Sequence, residues 1–265
     1  MRKAKNLQTE ADLISTIQVA PTAFSGFAIG IIAVNLIYPK IPGNVANATT
    51  FAFPVLYEVV DFEIEQLFEG SKQIQEQVID AAKKLEKQGV RAIVGACGYF
   101  GHFQEAVSEA VDIPAFLSSI SQVPIIKLGL KKEQKILTLV ASGKDINEAF
   151  FRSSGADLSD CIIREIGTLE SFSPIRWGKT ELDNQKLEAD LVKVVQTELD
   201  RSAEIGAILL ECSDLPPYSY AIQQVSGLPV FDFISLINWV HFAVVQSKYY
   251  GPVSYTHLTL PTILL

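Results

Sequence analysis

Two similar stretches of this sequence lie 115 residues apart. Residues 92–97 read Ala-Ile-Val-Gly-Ala-Cys, and residues 207–212 read Ala-Ile-Leu-Leu-Glu-Cys. A proline follows each cysteine after 17 residues, and the apolar residues in between match at the same offset. A constant offset through a strand, a loop, a helix and the next strand indicates an internal duplication. The chain is therefore expected to fold into two similar halves.

Hydrophobic periodicity predicts the elements of each half. Short apolar runs predict strands at 28–34, 92–94, 115–117, 136–140, 207–210 and 230–233. Helical spacing predicts helices at 64–88, 103–111, 180–203, 218–225 and 234–249. Gly89 and Gly206 are predicted to cap the two longest helices. Strands that alternate with helices are typical of parallel sheets covered on both faces.

The predicted fold is therefore α/β, with two doubly wound parallel-sheet lobes related by a pseudo-two-fold axis and an active site between them. The first lobe is predicted to comprise residues 1–123 plus about 234–252. The second lobe is predicted to span residues 124–233. A chain of 265 residues is long enough for two such lobes.

Composition narrows the classes of function. With 48% hydrophobic and 20% charged residues, the chain is expected to be globular, and its net charge of −8 argues against a nucleic-acid partner. The apolar run 24–37 is too short to span a bilayer, so no membrane association is expected. Residues 1–15 turn polar before any apolar run, which predicts no signal peptide, and the scarcity of cysteine favours a cytoplasmic location.

The last residues are unlike the rest. Residues 253–262 read Val-Ser-Tyr-Thr-His-Leu-Thr-Leu-Pro-Thr, which matches the translation of a sequencing adapter. We expect residues 253–265 to be an artefact of adapter origin, and His257 is excluded from any site. The remaining histidines, His102 and His241, form no metal-binding motif with the cysteines, so no metal is predicted.

Cys97 and Cys212 carry the clearest chemical signal. Each follows a predicted parallel strand, at the sheet edge where open α/β folds bind ligands. Each also precedes a helix, whose free N–H groups stabilise a thiolate or a bound carboxylate. Two thiols facing each other across a ligand are able to remove a proton from one face of a carbon and return one to the other. Most buried cysteines merely fill space, and Cys161, which has no repeat partner, fits that reading.

Four further pieces carry a resemblance to a known family. They are residues 42–54 (PGNVANATTFAFP), 96–101 (ACGYFG), 118–124 (SSISQVP) and 211–218 (ECSDLPPY). From about residue 29 to 250 the chain resembles the aspartate/glutamate/hydantoin racemase superfamily. The resemblance implies a racemase or epimerase that needs no cofactor and moves a proton at the α-carbon of an amino acid, hydantoin or related small carboxylate. It also implies Cys97 and Cys212 as the catalytic pair, and a homodimer.

The resemblance assigns substrate-binding residues as well. Ser213 stands where members often have Thr, and implies a hydroxyl contact with a substrate carboxylate. Asn35 stands loosely where amino-acid racemases carry an acidic or hydroxyl residue. Ser118 and Ser119 are expected to supply hydroxyl donors near the cleft; each of these polar residues is also common turn chemistry.

The loop after the first cysteine departs from the family pattern. Gly98 and Tyr99 replace the Asn-Thr that binds the carboxylate in amino-acid racemases, and Ser213-Asp214 replaces Thr-His after the second cysteine. We expect Gly98 and Tyr99 to border a larger or less charged substrate. The alternatives left open are a decarboxylase or cis–trans isomerase of the same superfamily, and a non-catalytic sensor of small carboxylates.

Overall fold

The computed structural model describes residue 22 and residues 24–249, and it contains two four-stranded parallel sheets. The predicted tail at 253–265 lies outside the described residues. The first sheet contains β1 (Ile29–Val34), β2 (Val55–Val60), β3 (Ala92–Gly95) and β4 (Ala115–Phe116). The second contains β5 (Lys135–Val140), β6 (Cys161–Glu165), β7 (Ile205–Leu210) and β8 (Val230–Phe231).

Nine α-helices connect or follow these strands within the described residues. Those of the first half are α1 (Ile64–Phe68), α2 (Gln75–Lys87), α3 (Gln104–Ala110) and α4 (Val123–Leu128). The others are α5 (Glu148–Ser153), α6 (Ser173–Arg176), α7 (Asn184–Arg201), α8 (Ser219–Ser226) and α9 (Phe233–Val244). No helix in this part of the chain combines the length and the apolarity needed to cross a bilayer.

The two sheets have the same strand order, which confirms the predicted α/β fold. The order is β2-β1-β3-β4 in the first sheet and β6-β5-β7-β8 in the second. Ala92 pairs with Ile29 at the start of β1, and its repeat partner Ala207 pairs with Ile136 near the start of β5. The offset of 115 residues therefore superposes β3 on β7 and places the carboxyl ends of both strands at equivalent positions.

Two details of the predicted helices are wrong. The helix predicted at 64–88 is divided, because Gly70 adopts φ +63° after α1 and a 3-10 turn leads into α2. A side chain at position 70 would meet the His102 ring at 2.7 Å, so glycine is required there. Gly89 does follow α2 with φ +91°, as a cap does. Gly206 does not cap a helix, because α7 ends at Arg201 and Gly206 lies inside β7.

A hydrophobic core runs continuously through both sheets and their inner helices. A second, smaller cluster covers the other face of the first sheet. In that cluster Phe233, Leu236, Ile237 and Val240 of α9 pack against Ile29, Ile31, Val55, Ala92 and Val94. The last helix of the described chain thus returns to the first sheet, and helices cover both of its faces.

Candidate active site

The two repeated cysteines open on one cavity between the sheets. Cys97 and Cys212 each lie two residues beyond the end of their strand, β3 or β7. Both line a cavity with about 580 Å³ of empty space, a volume that includes open solvent at its mouth. All three cysteines are free thiols, and Cys161 is buried at the start of β6, away from this cavity. The duplication therefore brings two thiols to one site from opposite lobes.

Cys97 has donors and a positive charge nearby. It precedes the 3-10 turn Gly98–Phe103, and its sulfur accepts a hydrogen bond from the Tyr99 N–H. Burial raises the pKa of the Cys97 thiol well above 9, and the acidic Glu211 adds to this effect. The Tyr99 N–H and the guanidinium of Arg176 act in the opposite direction, because both stabilise a thiolate.

Cys212 has an acidic partner instead. Its sulfur donates to Oδ2 of Asp214 at 3.3 Å. Oδ1 of the same carboxylate accepts from the Tyr38 hydroxyl and from Nδ2 of Asn44, the latter at 2.5 Å. Burial raises the pKa of Cys212 well above 9, and the charge of Asp214, joined by that of Glu211 when Glu211 ionises, raises it further. Cys212 is therefore held as a hydrogen-bonded thiol, and a thiolate there is strongly disfavoured.

Glu211 places a carboxyl group between the two cysteine loops. Its side chain is fully buried, and neither carboxyl oxygen has a hydrogen-bond partner of normal geometry among the described residues. The group packs against Gly98, where an added Cβ would lie only 1.8 Å from Oε1. Burial raises the pKa of Glu211 to about 8, although the Ala141 amide opposes the shift. The carboxyl group is therefore mostly protonated at neutral pH.

Two basic side chains line the cavity, and they differ in their partners. Lys40 donates to the Leu36 carbonyl oxygen at 2.5 Å and lies over the Tyr38 ring. Burial lowers the pKa of Lys40. Arg176 extends from the second lobe and forms a long ion pair, 3.7 Å, with Glu65 of the first lobe. Its Nη1 atom is buried and has no hydrogen-bond partner within the described chain.

Among the predicted substrate-binding residues, Ser213 and Tyr99 line the cavity, and Gly98 lies just behind it. The hydroxyl groups of Ser213 and Tyr99 form hydrogen bonds between the lobes. Ser213 Oγ donates to the Ala96 carbonyl oxygen at 2.8 Å, and the Tyr99 hydroxyl bonds with the backbone of Ser142. The expected contact of the Ser213 hydroxyl with a substrate carboxylate remains a prediction, as does the expected position of Gly98 and Tyr99 beside the substrate.

Asn35, Ser118 and Ser119 do not line the cavity. Asn35 is exposed on a separate polar depression, because the chain turns outward after β1. Ser118 caps the turn that follows β4, where its Oγ accepts from the Ile120 N–H. Ser119 is fully buried and donates to the backbone of β7 and Glu211. Their expected contacts with substrate remain predictions.

Residues that the sequence analysis did not select complete the site: Tyr38, Lys40, Arg176, Glu211 and Asp214. The two acidic residues stand next to Cys212 in the sequence, so their proximity was available as a signal. The other three lie far from either cysteine, and no spacing indicates them. No group of three His, Cys, Asp or Glu side chains in the described part of the chain is arranged to hold a metal.

Comparisons with known proteins place this arrangement in context. A family model described as Asp/Glu/Hydantoin racemase matches residues 59–239. Dimethylsulfoniopropionate lyase 3 of Emiliania huxleyi (strain CCMP1516) is 30% identical over 236 residues, which cover 84% of this chain and 61% of that protein. The chain thus spans about three fifths of that relative. A dimethylsulfoniopropionate lyase of Durusdinium sp. clade D is 29% identical over 233 residues, 84% of this chain and 77% of that protein.

Solved structures share the fold at lower identity. An aspartate racemase homologue from Pyrococcus horikoshii OT3 superposes with a TM-score of 0.53 at 18% identity, covering 82% of this chain and 98% of that one. Glutamate racemase from Francisella tularensis, solved with D-glutamate, gives 0.51 at 18% identity, covering 84% and 85%. Unliganded arylmalonate decarboxylase gives 0.53 at 18% identity, covering 85% and 95%. At this identity the likeness establishes the two-lobed fold alone.

Proposed function

Because this chain belongs to the aspartate/glutamate/hydantoin racemase family, we propose that it removes a proton from the α-carbon of a small carboxylate. We propose further that the reaction ends as an elimination, so that the protein is a carbon–sulfur lyase. The observation that carries the proposal is the pair of cysteines in one cavity, which have unequal surroundings.

The inequality of the two thiols favours an elimination over racemisation. A racemase alternates two bases, so each thiol must be able to hold the negative charge. Here the cation Arg176 acts on Cys97, whereas Cys212 donates to the carboxylate of Asp214. An elimination requires one base, and Cys97 is the better candidate because the Tyr99 N–H and Arg176 stabilise its thiolate against the effect of burial.

The relatives supply the substrate class for this proposal. Proteins named dimethylsulfoniopropionate lyases match 84% of this chain at 29–30% identity. We therefore propose dimethylsulfoniopropionate, or a propionate with a comparable leaving group on its β-carbon, as the substrate.

The proposed reaction is balanced without a cofactor. The Cys97 thiolate takes a proton from the α-carbon, and the electrons of that C–H bond form the α–β double bond. The β-carbon–sulfur bond breaks, and its electron pair leaves with dimethyl sulfide. The products are acrylate, dimethyl sulfide and the Cys97 thiol, which then returns its proton to solvent. Groups that stabilise negative charge on the substrate carboxylate also stabilise the developing carbanion.

Racemisation is the second candidate, since the duplication places two thiols on one cavity. The two functions differ in what the second thiol must do. In a racemase, replacement of either cysteine abolishes turnover. In the proposed lyase, Cys97 is essential, whereas Cys212 shapes the cavity.

The test measures dimethyl sulfide release and α-proton exchange in parallel. Wild type, Cys97→Ser and Cys212→Ser are incubated with dimethylsulfoniopropionate in D₂O, with headspace gas chromatography and proton NMR as readouts. Aspartate, glutamate and 5-substituted hydantoins serve as racemase substrates. We expect sulfide release by wild type and a loss of about 10³-fold in Cys97→Ser, within the range for removal of a general base. Cys212→Ser should lose only about 10-fold, because Cys212 shapes the cavity and is not the base.

Three results would contradict the lyase assignment. Exchange at the α-carbon of an amino acid or hydantoin, lost equally in both variants, would establish the racemase. Equal losses of sulfide release in the two variants would remove the one-base mechanism. Stabilisation by a small carboxylate without any turnover or exchange would leave a sensor of small carboxylates.

A further inference from the structure

We propose that Arg176 is the carboxylate-binding residue of this cavity, and that it holds the ligand's carboxylate beside Cys97. The choice of ligand rests on the proposed function, but the inference that an anion binds Arg176 rests on the contacts of that side chain alone. None of the substrate-binding residues expected from the sequence is a cation.

The guanidinium of Arg176 lacks the partners that a buried cation requires. Only 13% of its side-chain area is exposed, and its Nη1 is buried without a hydrogen-bond acceptor in the described part of the chain. Its ion pair with Glu65 is 3.7 Å long, beyond hydrogen-bond distance. Burial of a charged group without compensation costs several kcal/mol. An anionic ligand in the cavity would supply the missing compensation.

Two aromatic rings lie beside the guanidinium of Arg176. Its central carbon lies 4.3 Å from the centroid of the Phe68 ring and 5.3 Å from that of Trp177. A guanidinium packed by its face on an aromatic ring keeps its N–H edges free. Those edges match the two oxygens of a carboxylate, which they bind through a pair of parallel hydrogen bonds.

The position of Arg176 suits the proposed chemistry. Its charge acts on the Cys97 thiol, and both residues line the same cavity. The other basic residue there, Lys40, already donates to the Leu36 carbonyl oxygen. A carboxylate on Arg176 therefore presents its neighbouring α-carbon on the side of Cys97, where the proton is to be removed.

Arg176 also forms an ion pair with Glu65 of the first lobe. The experiment must therefore separate ligand binding from a structural role in joining the lobes. Glu65→Gln provides the matched control. It breaks the ion pair between the lobes and leaves the guanidinium, its aromatic neighbours and the cavity in place.

The experiment measures binding without turnover. All variants carry Cys97→Ser to prevent reaction, and calorimetry follows two probes, dimethylsulfoniopropionate and 4-methylpentanoate, which keeps the shape and the carboxylate but lacks the sulfonium charge. We expect Arg176→Gln to weaken both probes about 30-fold, as for loss of a charged hydrogen-bond pair. Arg176→Lys should recover part of the affinity, and Glu65→Gln should stay within about threefold.

Two outcomes would overturn the inference. The first is that Arg176→Gln binds both probes as tightly as the Cys97→Ser parent does, or that the parent binds neither probe at millimolar concentrations. The second is that Arg176→Gln and Glu65→Gln lose equal affinity and show equal drops in melting temperature. Arg176 would then have only a structural role in joining the lobes. Binding that depends on Arg176 in a protein that releases no dimethyl sulfide would refute the lyase proposal and leave the carboxylate subsite standing.

Discussion

The buried carboxyl group of Glu211 acts on both thiols of the cavity. Its pKa is raised to about 8 because it is removed from water and lacks hydrogen-bond partners of normal geometry. At neutral pH the protonated form adds no charge beside Cys97 and Cys212. Above pH 8 its ionisation would place an anion between two thiols whose own ionisation is already disfavoured by burial.

Glu211 should make the stability of the protein depend on pH. Its ordinary pKa is 4.5 and its pKa in the folded protein is about 8, so the folded state binds more protons between these values. The free energy of unfolding therefore falls as pH rises from about 4.5 to 8. We expect Glu211→Gln to remove the contribution of Glu211 to this fall, which is on the order of 5 kcal/mol. Urea unfolding of wild type and variant between pH 5 and 9 measures the difference.

The exposed Glu109 supplies the control for this prediction. Glu109→Gln removes a carboxylate from a helix surface and should leave the pH dependence of wild type unchanged. Any constant cost of the buried glutamine amide cancels, because only the change with pH is compared. A parallel pH dependence in wild type and Glu211→Gln would show that Glu211 is ionised at the same pH in the folded and unfolded states.

At the level of single residues, the sequence indicated the two thiols but not the side chains that surround them in the cavity. Cys97 and Cys212 were predictable because a repeat marks them, and the ends of parallel strands converge in space. Arg176 was not, because its significance lies in a buried guanidinium without an acceptor, a property that only the packed structure reveals. Ser119, a plausible donor by position, is turned to the backbone of β7 instead.

Among the elements, the Gly98–Phe103 turn closely approaches the loop after β7. A Cβ at Gly98 would lie 1.8 Å from Oε1 of Glu211 and 2.7 Å from its backbone oxygen. The backbone oxygen belongs to the end of a buried strand and is unable to move freely. Glycine at this position therefore lets the two cysteine loops meet.

Gly98→Ala should separate these loops. We expect it to lower the free energy of unfolding by about 2–3 kcal/mol, as overpacking of a core does, and to reduce turnover. Gly129→Ala is the matched control, since Gly129 has φ −84° and its nearest contact would be 3.4 Å away. Urea unfolding at pH 7 measures both variants, and an unaffected Gly98→Ala would mean that the turn shifts without cost.

Element boundaries were predictable where the core is dense and less so at the sheet edges. The central strands β1, β3, β5 and β7 are almost fully buried and read as continuous apolar runs. The edge strands β2 and β6 were missed, because each is only partly buried and carries charged residues. The break at Gly70 was missed as well, since the helical apolar pattern continues on both sides of it.

In the molecule as a whole, the two lobes are joined through the site itself. Hydrogen bonds cross between them from Ser213 to Ala96, from Ser119 to the end of β7, and between Tyr99 and Ser142. The largest hydrophobic cluster also runs through both lobes. The repeat predicted two lobes, but it gave no measure of how firmly they are joined, because those contacts form between loops whose sequences differ.

The Tyr99 hydroxyl provides a test of that connection. It donates to the Ser142 carbonyl oxygen at 2.7 Å and accepts from the Ser142 N–H at 2.9 Å, and both residues are buried. Tyr99→Phe keeps the ring but leaves two backbone groups without partners, each worth about 1–3 kcal/mol. We expect a loss of about 2–4 kcal/mol, with both lobes still unfolding in one transition, because the shared core couples them.

Tyr220→Phe is the control, since Tyr220 is 73% exposed and its hydroxyl should contribute little. Urea unfolding is followed by tryptophan fluorescence and circular dichroism together. Two separate transitions in Tyr99→Phe would mean that the hydroxyl, rather than the shared core, couples the lobes. An unchanged free energy of unfolding would mean that water replaces the hydroxyl at Ser142, and the cleft would then be open enough for solvent to reach the thiols.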